Sequence, residues 1–418
     1  MEYKLGKVST FYDSLHKTPK NYNIYGYPMV RVKDISTGFL DLSSCFNVSE
    51  DDYLEFSKKY KPQSGDIIIT RVGTYGNIAL VTNDKRFCLG QNTVILNVDK
   101  KIIDNKYLFY YLTSSMGQQQ IESKVTGSTQ KTISLKSLKE INIIRHDYYK
   151  EKQIGNLLYK IDNKINNNKQ IIANLEELSQ TLFKRWFVDF EFPDENGNPY
   201  KSNGGEMVDS ELGAIPKGWN VKNLDDIANY MNGLAMQKFK PTDNQNSLPV
   251  VKIKELKNGS TDENSNRCTS EIPEKALIVD GDIIFSWSAT LLVKMWCGGK
   301  AGLNQHLFKV SSDKYPKWFY YYWTKRYIDY FIGIANDKAT TMGHINRKHL
   351  SHAKILTPND QTLEKFSRTF DDLLEKELSV SKESKRLTEL RDTLLPKLMS
   401  GEIEIPTDIE VNEDELSI

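Results

Sequence analysis

The sequence predicts a mixed α/β protein in which two duplicated globular α/β domains are separated by two long antiparallel coiled-coil helices. Residues 148–190 contain no proline and are apolar at alternating three- and four-residue spacing, which predicts one helix of roughly 40 residues. Residues 357–402 repeat this design at an offset of 212, the difference between Leu387 and Leu175. The blocks that precede the two helices also share short motifs in the same order, so the chain is predicted to be a duplication.

The apolar stripe of the first long helix needs a partner helix, because a side chain on nearly every turn would otherwise face water. The matching positions of the second helix supply that partner within the same chain. Asn168 and Ser179 interrupt the stripe. Its apolar members are Ile154, Leu158, Ile161, Ile165, Ile172, Leu175, Leu182 and Trp186, and the matches include Leu178 with Leu390, Thr181 with Thr393, Leu182 with Leu394, Ile154 with Phe366, and Leu158 with Phe370.

Each globular block alternates short β-rich runs with turn signals, followed by a short aromatic helix and then a polar loop. YPMVRVKDI at 27–35 and LPVVKIKEL at 248–256 are predicted strands, and GDII at 65 and at 281 leads into a buried strand in each half. A strand is also predicted over 89–96, near LNQHLF at 303–308 in the second half. The predicted boundaries are a first domain at 1–147, a central helix at 148–190, a linker at 191–218, a second domain at 219–356, a distal helix at 357–402 and an acidic tail at 403–418.

Length and composition indicate a soluble, cytoplasmic protein of two domains. A chain of 418 residues is too long for one ordinary core, and no apolar run is long enough to span a bilayer. The 4 cysteines have no CxxC spacing, which favours reduced thiols over a disulfide framework or a zinc site. Net charge is only +1, but residues 124–152 hold 7 basic and 3 acidic side chains, and residues 314–354 hold 8 and 2. Such patches suit phosphate binding or a solvated surface equally well.

The motifs that would indicate catalysis are incomplete. Asn198-Pro199-Tyr200 lacks a residue of the NPPY turn of adenine methyltransferases, and no FxGxG cofactor loop accompanies it. Pro193-Asp194 has no ExK after it to complete a nuclease site, and no GxxxxGK[ST] phosphate loop occurs. His344, His349 and His352 cluster without a carboxylate or cysteine that would complete a metal site. The chain is therefore predicted to bind and recognise rather than to catalyse.

Polar side chains on glycine-bearing loops are the candidates for binding. Arg or Lys can bridge guanine O6 and N7, and Asn or Gln can bridge adenine N6 and N7, so these residues suit the reading of DNA bases. The same residue types also build ordinary turns, and both interpretations stay open for each position. The candidates are Arg71, Thr74, Tyr75, Gln91, Asn92, Ser128, Thr129, Gln130 and Lys131 in the first domain, and Ser286, Trp287, Asn304, Gln305, His306, Lys338, Thr340, Thr341 and Arg347 in the second.

The order of motifs over essentially the whole chain resembles the specificity subunit of type I restriction–modification systems. The most specific segments are LFKRWFVDF at 182–190, ELGAIPKGW at 211–219 and LRDTLLPKLMSGEI at 390–403. Two departures are the absence in the first copy of a counterpart to Pro358, and the acidic tail. Neither touches the candidate loops.

The resemblance implies that each globular block is a target-recognition domain that reads one half of a bipartite, asymmetric sequence in double-stranded DNA. It implies partners as well: two methyltransferase subunits that use S-adenosylmethionine to methylate adenine, and restriction–translocase subunits that use ATP and Mg. The chain itself would carry no cofactor, no metal and no catalytic residue. Two alternatives stay open, namely a structural coiled-coil scaffold and a fragment of a fused restriction–methylation enzyme.

Overall fold

The computed structural model describes residues 2–127, 130–241, 246–337 and 343–406. They form two compact units: unit 1 comprises Met1–Lys164 and Leu387–Ile418, and unit 2 comprises Ile165–Arg386. Each unit therefore contains a globular block together with one segment of each long helix. The predicted domain boundaries fall elsewhere, since they separate the helices from the blocks, and they stay a prediction.

Unit 1 is built on a five-stranded sheet and a three-stranded sheet. In the larger sheet the strands run in the order Ser9–Asp13, Thr93–Val98, Ile67–Thr70, Ile78–Leu80, Gly38–Phe39, and in the smaller one Phe46–Val48, Tyr27–Val30, Cys88–Leu89. Glu2–Lys4 pairs with Asn142–Ile144. The helices before the long one are Leu5–Val8, Val32–Asp34 (3-10), Glu50–Phe56, Asn105–Thr113, Ser115–Ser123 and Leu135–Lys139.

Unit 2 repeats this arrangement. A four-stranded sheet has the order Asn229–Asn232, Leu307–Ser311, Ile283–Ser286, Leu292–Met295, and a second has the order Arg267–Thr269, Ser247–Val251, Ala301–Leu303, Leu277–Ile278. Asn220–Asn223 pairs with Lys354–Thr357, and Met207–Ser210 with Gly213–Pro216. The helices are Leu224–Ile227, Met236–Lys238 (3-10), Ile253–Asn258, Glu274–Ala276 (3-10), Lys317–Arg326, Ile328–Asp337 and Arg347–Ser351.

Strand pairing confirms the duplication. Ile67–Thr70 lies antiparallel to Thr93–Val98 in unit 1, as Ile283–Ser286 does to Leu307–Ser311 in unit 2. A parallel pair occurs at the matching place in each unit: Met29 faces Cys88, and Val250 faces Gly302. The aromatic helices Asn105–Thr113 and Lys317–Arg326 occupy equivalent positions in the order of elements. The mixed α/β fold class predicted from sequence is thus confirmed.

The central helix, Tyr148–Phe187, and the C-terminal helix, Asp360–Ser400, pack together as antiparallel elements. In unit 1, Arg391 donates to Asp162 at 2.8 Å, and Ile154 and Leu158 share a buried cluster with Leu398 and Met399. Along these contacts the residue numbers increase in one helix and decrease in the other, as expected for an antiparallel pair.

The same order holds in unit 2, where aromatic rings dominate the contact. The ring centroids of Trp186 and Phe366 are 4.7 Å apart, and further along Asn168 donates to Glu383 at 2.8 Å. Aromatic side chains bury more area per residue than leucine does. The helix–helix contact of unit 2 is therefore more strongly apolar at its aromatic end than the corresponding contact of unit 1.

The ends of the two long helices differ from the predicted ones, each for a local reason. The central helix ends at Phe187 rather than at 190, because Phe190 has a left-handed φ of 63° and Asp189 N–H turns back to the Lys184 carbonyl. The C-terminal helix begins at Asp360 rather than 357 and ends at Ser400 rather than 402. The Asn359 side chain caps the start by accepting from Thr362 N–H at 2.8 Å, and Gly401 follows the end with a positive φ of 78°, a conformation that favours glycine after a helix.

Three predicted strands are shorter than expected. The run 27–35 leaves the sheet after Val30, because the Asp34 carboxylate accepts the Arg31 N–H and starts a 3-10 turn. The run 89–96 is divided at Asn92, whose φ is 64°. The run 248–256 becomes the helix Ile253–Asn258 after Val251, and the predicted linker 191–218 contains a β-hairpin.

Polar side chains are buried where the two long helices pack against each other in unit 2, a contact that we call the helix joint. Asn168, Ser179 and Glu377 expose 1%, 1% and 5% of their surface. Burial, followed by the nearby charge of Glu176, raises the pKa of Glu377 to about 7, and Lys325, which pairs with Glu176 at 3.4 Å, opposes that rise. When the pH rises above about 7, Glu377 ionises and adds a second negative charge, next to that of Glu176, to this apolar contact.

Glu377→Gln should stabilise the protein more at alkaline than at acidic pH. The native carboxyl holds its proton up to about pH 7, whereas the unfolded chain releases it near the ordinary value of 4.5, so wild-type stability falls across this window and the loss is complete above it. Thermal or denaturant unfolding at about pH 5 and about pH 8 should show the variant's advantage growing by about 2–3 kcal/mol. The exposed neighbour Glu375 provides the control, Glu375→Gln, for which we expect no such growth. Equal behaviour of the two variants would contradict an ionising carboxyl in the joint.

Candidate nucleic-acid interface

The structure brings three of the predicted residues of unit 1 to one surface groove. Thr74, Gln91 and Asn92 line a cavity of about 300 Å³. The groove also contains residues that sequence reasoning missed: Lys17, Tyr22, Arg31 and Lys33. We refer to it as the basic groove, because three of these side chains are cationic and no carboxylate is among the described residues that line it.

The loop that carries Gln91 and Asn92 is fixed by its own backbone. Gly90 N–H donates to the Val30 carbonyl at 2.8 Å, and Thr93 Oγ1 donates to the Gly90 carbonyl at 2.7 Å. Asn92 adopts its left-handed φ of 64°, which asparagine tolerates better than most residues, and its carbonyl accepts from Arg71 N–H. The side chains of Gln91 and Asn92 are therefore carried by a loop whose backbone is hydrogen-bonded to Val30 and Arg71.

Two of the cations have different tasks in the basic groove. Arg31 is 15% exposed at its side chain and pairs with Asp34 at 2.7 Å, and this hydrogen bond raises the pKa of the guanidinium. Its guanidinium carbon also lies 4.0 Å from the centroid of the Phe46 ring, so Arg31 holds the wall in place. Lys33 is exposed, and its ammonium lies 5.0 Å from the same ring. Lys33 is thus the cation with a charge free to meet a phosphate, whereas Lys17 is already close to Glu55.

Arg71 lies beneath the loops and not at their tips. Its guanidinium donates to Asp13 at 2.6 Å and to the Ile133 carbonyl at 3.2 Å, and the side chains of the Arg71–Asp13 pair are 14% and 17% exposed. Through these two hydrogen bonds Arg71 joins the strand Ser9–Asp13 to the segment before the helix Leu135–Lys139. The arrangement supports a structural role for Arg71, and a direct base contact by this residue stays a prediction.

Tyr75 and Lys131 form a surface network with Glu122. Lys131 Nζ lies 3.3 Å from both the Tyr75 hydroxyl and the Glu122 carboxylate, and Tyr75 donates to that carboxylate. The hydrogen bonds from Tyr75 and Lys131 lower the pKa of the exposed Glu122. Because the negative charge of Glu122 offsets the positive charge of Lys131, this part of the surface is less cationic than the sequence alone indicates. Gln130 beside it is exposed, and Ser128 and Thr129 lie outside the described residues.

In unit 2, the predicted residues gather around an aromatic cluster. The Trp287 ring centroid is 6.0 Å from that of His306, 5.7 Å from Phe308 and 6.4 Å from His344. Trp287 Nε1 and Gln305 Oε1 are buried without a hydrogen-bond partner among the described residues. Unpaired polar atoms of this kind carry a desolvation cost unless a ligand or water meets them, which makes them suitable for recognition.

The other predicted residues of unit 2 serve the fold or lie outside the described chain. Ser286 and Asn304 expose 0% and 6%, and Asn304 Oδ1 accepts from His306 N–H at 3.3 Å. Arg347 donates to the Tyr230 carbonyl at 2.8 Å. Lys338, Thr340 and Thr341 lie outside the described residues. Among the described residues of this unit, Trp287, Gln305 and His306 are therefore brought together as a candidate surface, and the exposed Arg347 lies beside them, with its guanidinium carbon 5.6 Å from the Phe308 ring centroid.

No three His, Cys, Asp or Glu side chains in the described part of the chain come close enough to share a metal ion. No described helix combines the length and the apolarity that crossing a bilayer requires.

Comparison with known proteins gives one consistent family. The model of the type I restriction modification DNA specificity domain matches residues 1–177 and 216–389. The chain is 27% identical over 366 residues to the type I restriction enzyme MjaIX specificity subunit of Methanocaldococcus jannaschii, covering 86% of this chain and 82% of that protein. It is 23% identical over 465 residues to the HindI specificity subunit of Haemophilus influenzae, covering 96% and 99%. A crystal structure of the type I S subunit from M. genitalium has the same fold, with a TM-score of 0.59, 18% identity and 95% coverage of both chains.

The Arg71–Asp13 pair gives a prediction that separates a structural from a DNA-contacting role. Arg71→Ala and Asp13→Ala should each destabilise the protein, and the double variant should be less destabilised than the sum, with a coupling of about 1–3 kcal/mol. Denaturant unfolding of the four proteins measures it. Gln91→Ala is the matched control in the basic groove and should leave stability unchanged. A fully stable Arg71→Ala protein would refute the structural role.

Proposed function

The chain belongs to the type I restriction modification DNA specificity family, whose members confer DNA sequence specificity, and we propose that each of its two units reads one half of a bipartite, asymmetric target in double-stranded DNA. Within that proposal the chain is non-catalytic, and no cofactor binds to it. Partner methyltransferase subunits would use S-adenosylmethionine to methylate adenine, and partner restriction subunits would use ATP and Mg.

One observation carries this proposal: equivalent loops on equivalent strands present different side chains. The loop before Thr93–Val98 offers Gln91 and Asn92, whereas the loop before Leu307–Ser311 offers Gln305 and His306. Amide side chains can bridge adenine, and a histidine or a basic side chain favours other base edges or phosphates. Reading two different half-sites requires two domains of the same fold that carry different side chains on equivalent loops.

The chemistry of the basic groove fits a polyanion. Lys33 offers an exposed positive charge, while Gln91 and Asn92 offer hydrogen-bond donors and acceptors on a loop held by backbone bonds. Phosphate contacts set affinity and register, and base-edge contacts set sequence choice. We place the complex in the cytoplasm, where the reduced state of Cys45, Cys88, Cys268 and Cys297, all free thiols, would persist.

Methylation mapping tests the reading of two half-sites. Replacing residues 1–147 by the same block of a relative should change one half of the methylated sequence and leave the other half and the gap unchanged. Single-molecule sequencing of genomic DNA, with the wild-type gene and with the gene deleted as references, gives the result. If both halves changed, the units would not read independently. If deletion left the methylation pattern intact, DNA recognition by this protein would be excluded.

Two copies of a methyltransferase subunit are proposed on the basis of a repeated surface feature. Leu178 and Leu390 occupy matching positions of the two helices, and they are 53% and 47% exposed. Leu178 belongs to unit 2 and Leu390 to unit 1. An exposed leucine at one site is ordinary, but the same exposure at both copies of a repeat indicates a common partner that docks twice.

Leu178→Gln and Leu390→Gln should each remove one docked methyltransferase subunit, and the double variant should remove both. Glutamine keeps the helix propensity close to that of leucine, so the helices should stay folded. Native mass spectrometry of the co-expressed complex counts the copies. Ile171 is 40% exposed on the same helix but has Glu383 at its matching position, so Ile171→Gln is the control and should retain both copies. Unaltered stoichiometry in the double leucine variant would show that docking occurs elsewhere.

A further inference from the structure

Ile24 and Tyr25 are the most exposed large hydrophobic residues in the described part of the chain. They expose 84% and 86% of their surface, whereas the next value is 61%, at Tyr149. Two adjacent apolar side chains that both project into water are unfavourable in the free protein, and such a feature usually marks a contact with another molecule.

The backbone of this loop is fastened on both sides of the exposed pair. Asn23 N–H donates to the Asn47 carbonyl at 2.8 Å, and Asn47 Nδ2 donates to the Ile24 carbonyl at 2.8 Å. Gly26 follows with a φ of +137° and lies so close to the strand Phe46–Val48 that an added Cβ would be 2.1 Å from the Val48 oxygen. The pair is thus held outward by the fold and is not a loose turn that could bury itself.

The surroundings of the loop are cationic and aromatic. Tyr22, two residues before Ile24, lines the basic groove, and its ring meets Phe46 at 5.2 Å with an interplanar angle of 62°. Lys33 and Arg31 lie over Phe46 at 5.0 and 4.0 Å. An apolar tip beside the exposed cation Lys33 and the amides proposed to read bases matches the chemistry of a wedge, in which an apolar side chain enters between two base pairs while a cation holds a flanking phosphate.

We propose that Ile24 and Tyr25 form a DNA wedge that separates one base step next to the half-site read by the basic groove. The proposal rests on DNA recognition by this protein and adds a deformation of the duplex to it. Ile24 would fill the opened step, and the Tyr25 ring would stack on an exposed base face. The target would then be selected in part by how readily that step unstacks, as well as by its base edges.

The experiment uses the full chain co-expressed with its methyltransferase subunits and a duplex that contains the methylation-mapped target. The test variant is Ile24→Ser with Tyr25→Ser. The control is Leu54→Ser, which removes an apolar side chain 50% exposed on the helix Glu50–Phe56 of the same unit. Base unstacking is read by 2-aminopurine placed at each position in turn across and beside the half-site.

2-Aminopurine should brighten at the adenines that the methyltransferase subunits flip in every complex. We expect wild-type and Leu54→Ser complexes to brighten it at one further step, and the wedge variant to lose only that further signal, along with roughly ten-fold or more in affinity. A nick or single mismatch at that step lowers the cost of unstacking. It should therefore tighten binding of the wild-type complex and leave binding of the wedge variant unchanged, a response that a passive apolar contact would not give.

The outcomes that overturn the proposal are distinct from failure of the proposed function. If the wild-type complex did not prefer its target over a scrambled duplex, DNA recognition itself would fail. If target preference held but the wedge variant matched Leu54→Ser in affinity and fluorescence, there would be no wedge. If the variant lost a methyltransferase subunit in native mass spectrometry while the intact fraction bound and unstacked DNA normally, the pair would be a protein-docking element, which also overturns the wedge.

Discussion

The antiparallel pairing of two helices from distant parts of the chain is the constraint on which each unit depends. Neither globular block closes its core alone. In unit 1, Ile154 and Leu158 from the central helix share a buried cluster with Leu398 and Met399 from the C-terminal helix. In unit 2, a buried cluster likewise contains aromatic residues of both helices, Phe183, Phe187, Phe366 and Phe370. Because these core side chains lie outside the polar loops, changes in the loops cost little core energy. The loops can therefore diverge between the copies while the scaffold stays the same.

The long helices and the duplication could be predicted from sequence, because both follow from residue patterns along the chain. The helix stripe follows from i, i+3 and i+4 spacing, and the duplication follows from motifs in a repeated order. Element ends were less predictable, since they depend on single conformations such as the left-handed Phe190 and Asn92. No local pattern marks either residue as left-handed, although asparagine is one of the residue types in which it is least unusual.

The candidate site could be predicted only in part, because its geometry depends on contacts between residues far apart in sequence. Gln91 and Asn92 were found by their residue type, but Lys33 and Tyr22 join them only through the parallel pairing of Tyr27–Val30 with Cys88–Leu89. Arg71 has the residue type of a base reader, and its partner Asp13 lies 58 positions away. Asn304 likewise has the residue type of a base reader, but it exposes 6% and bonds within its own turn. Residue type therefore indicates what a side chain can do, and long-range packing decides whether it is free to do it.

The buried polar groups in the helix joint restrict the registers in which the two helices can pair. A stripe of apolar residues alone would permit registers that differ by a whole turn, because one leucine fills a gap about as well as another. Asn168 is 1% exposed and its amide nitrogen donates to Glu383 at 2.8 Å, so a shift of one turn, about 5.4 Å, would break this bond and leave the amide N–H groups buried without a partner. The bond adds little to the free energy of folding, but its loss raises the free energy of every shifted register. Register in unit 2 is thus fixed by a polar contact placed where the sequence interrupts its apolar stripe, and the aromatic contacts supply the stability that this interruption sacrifices.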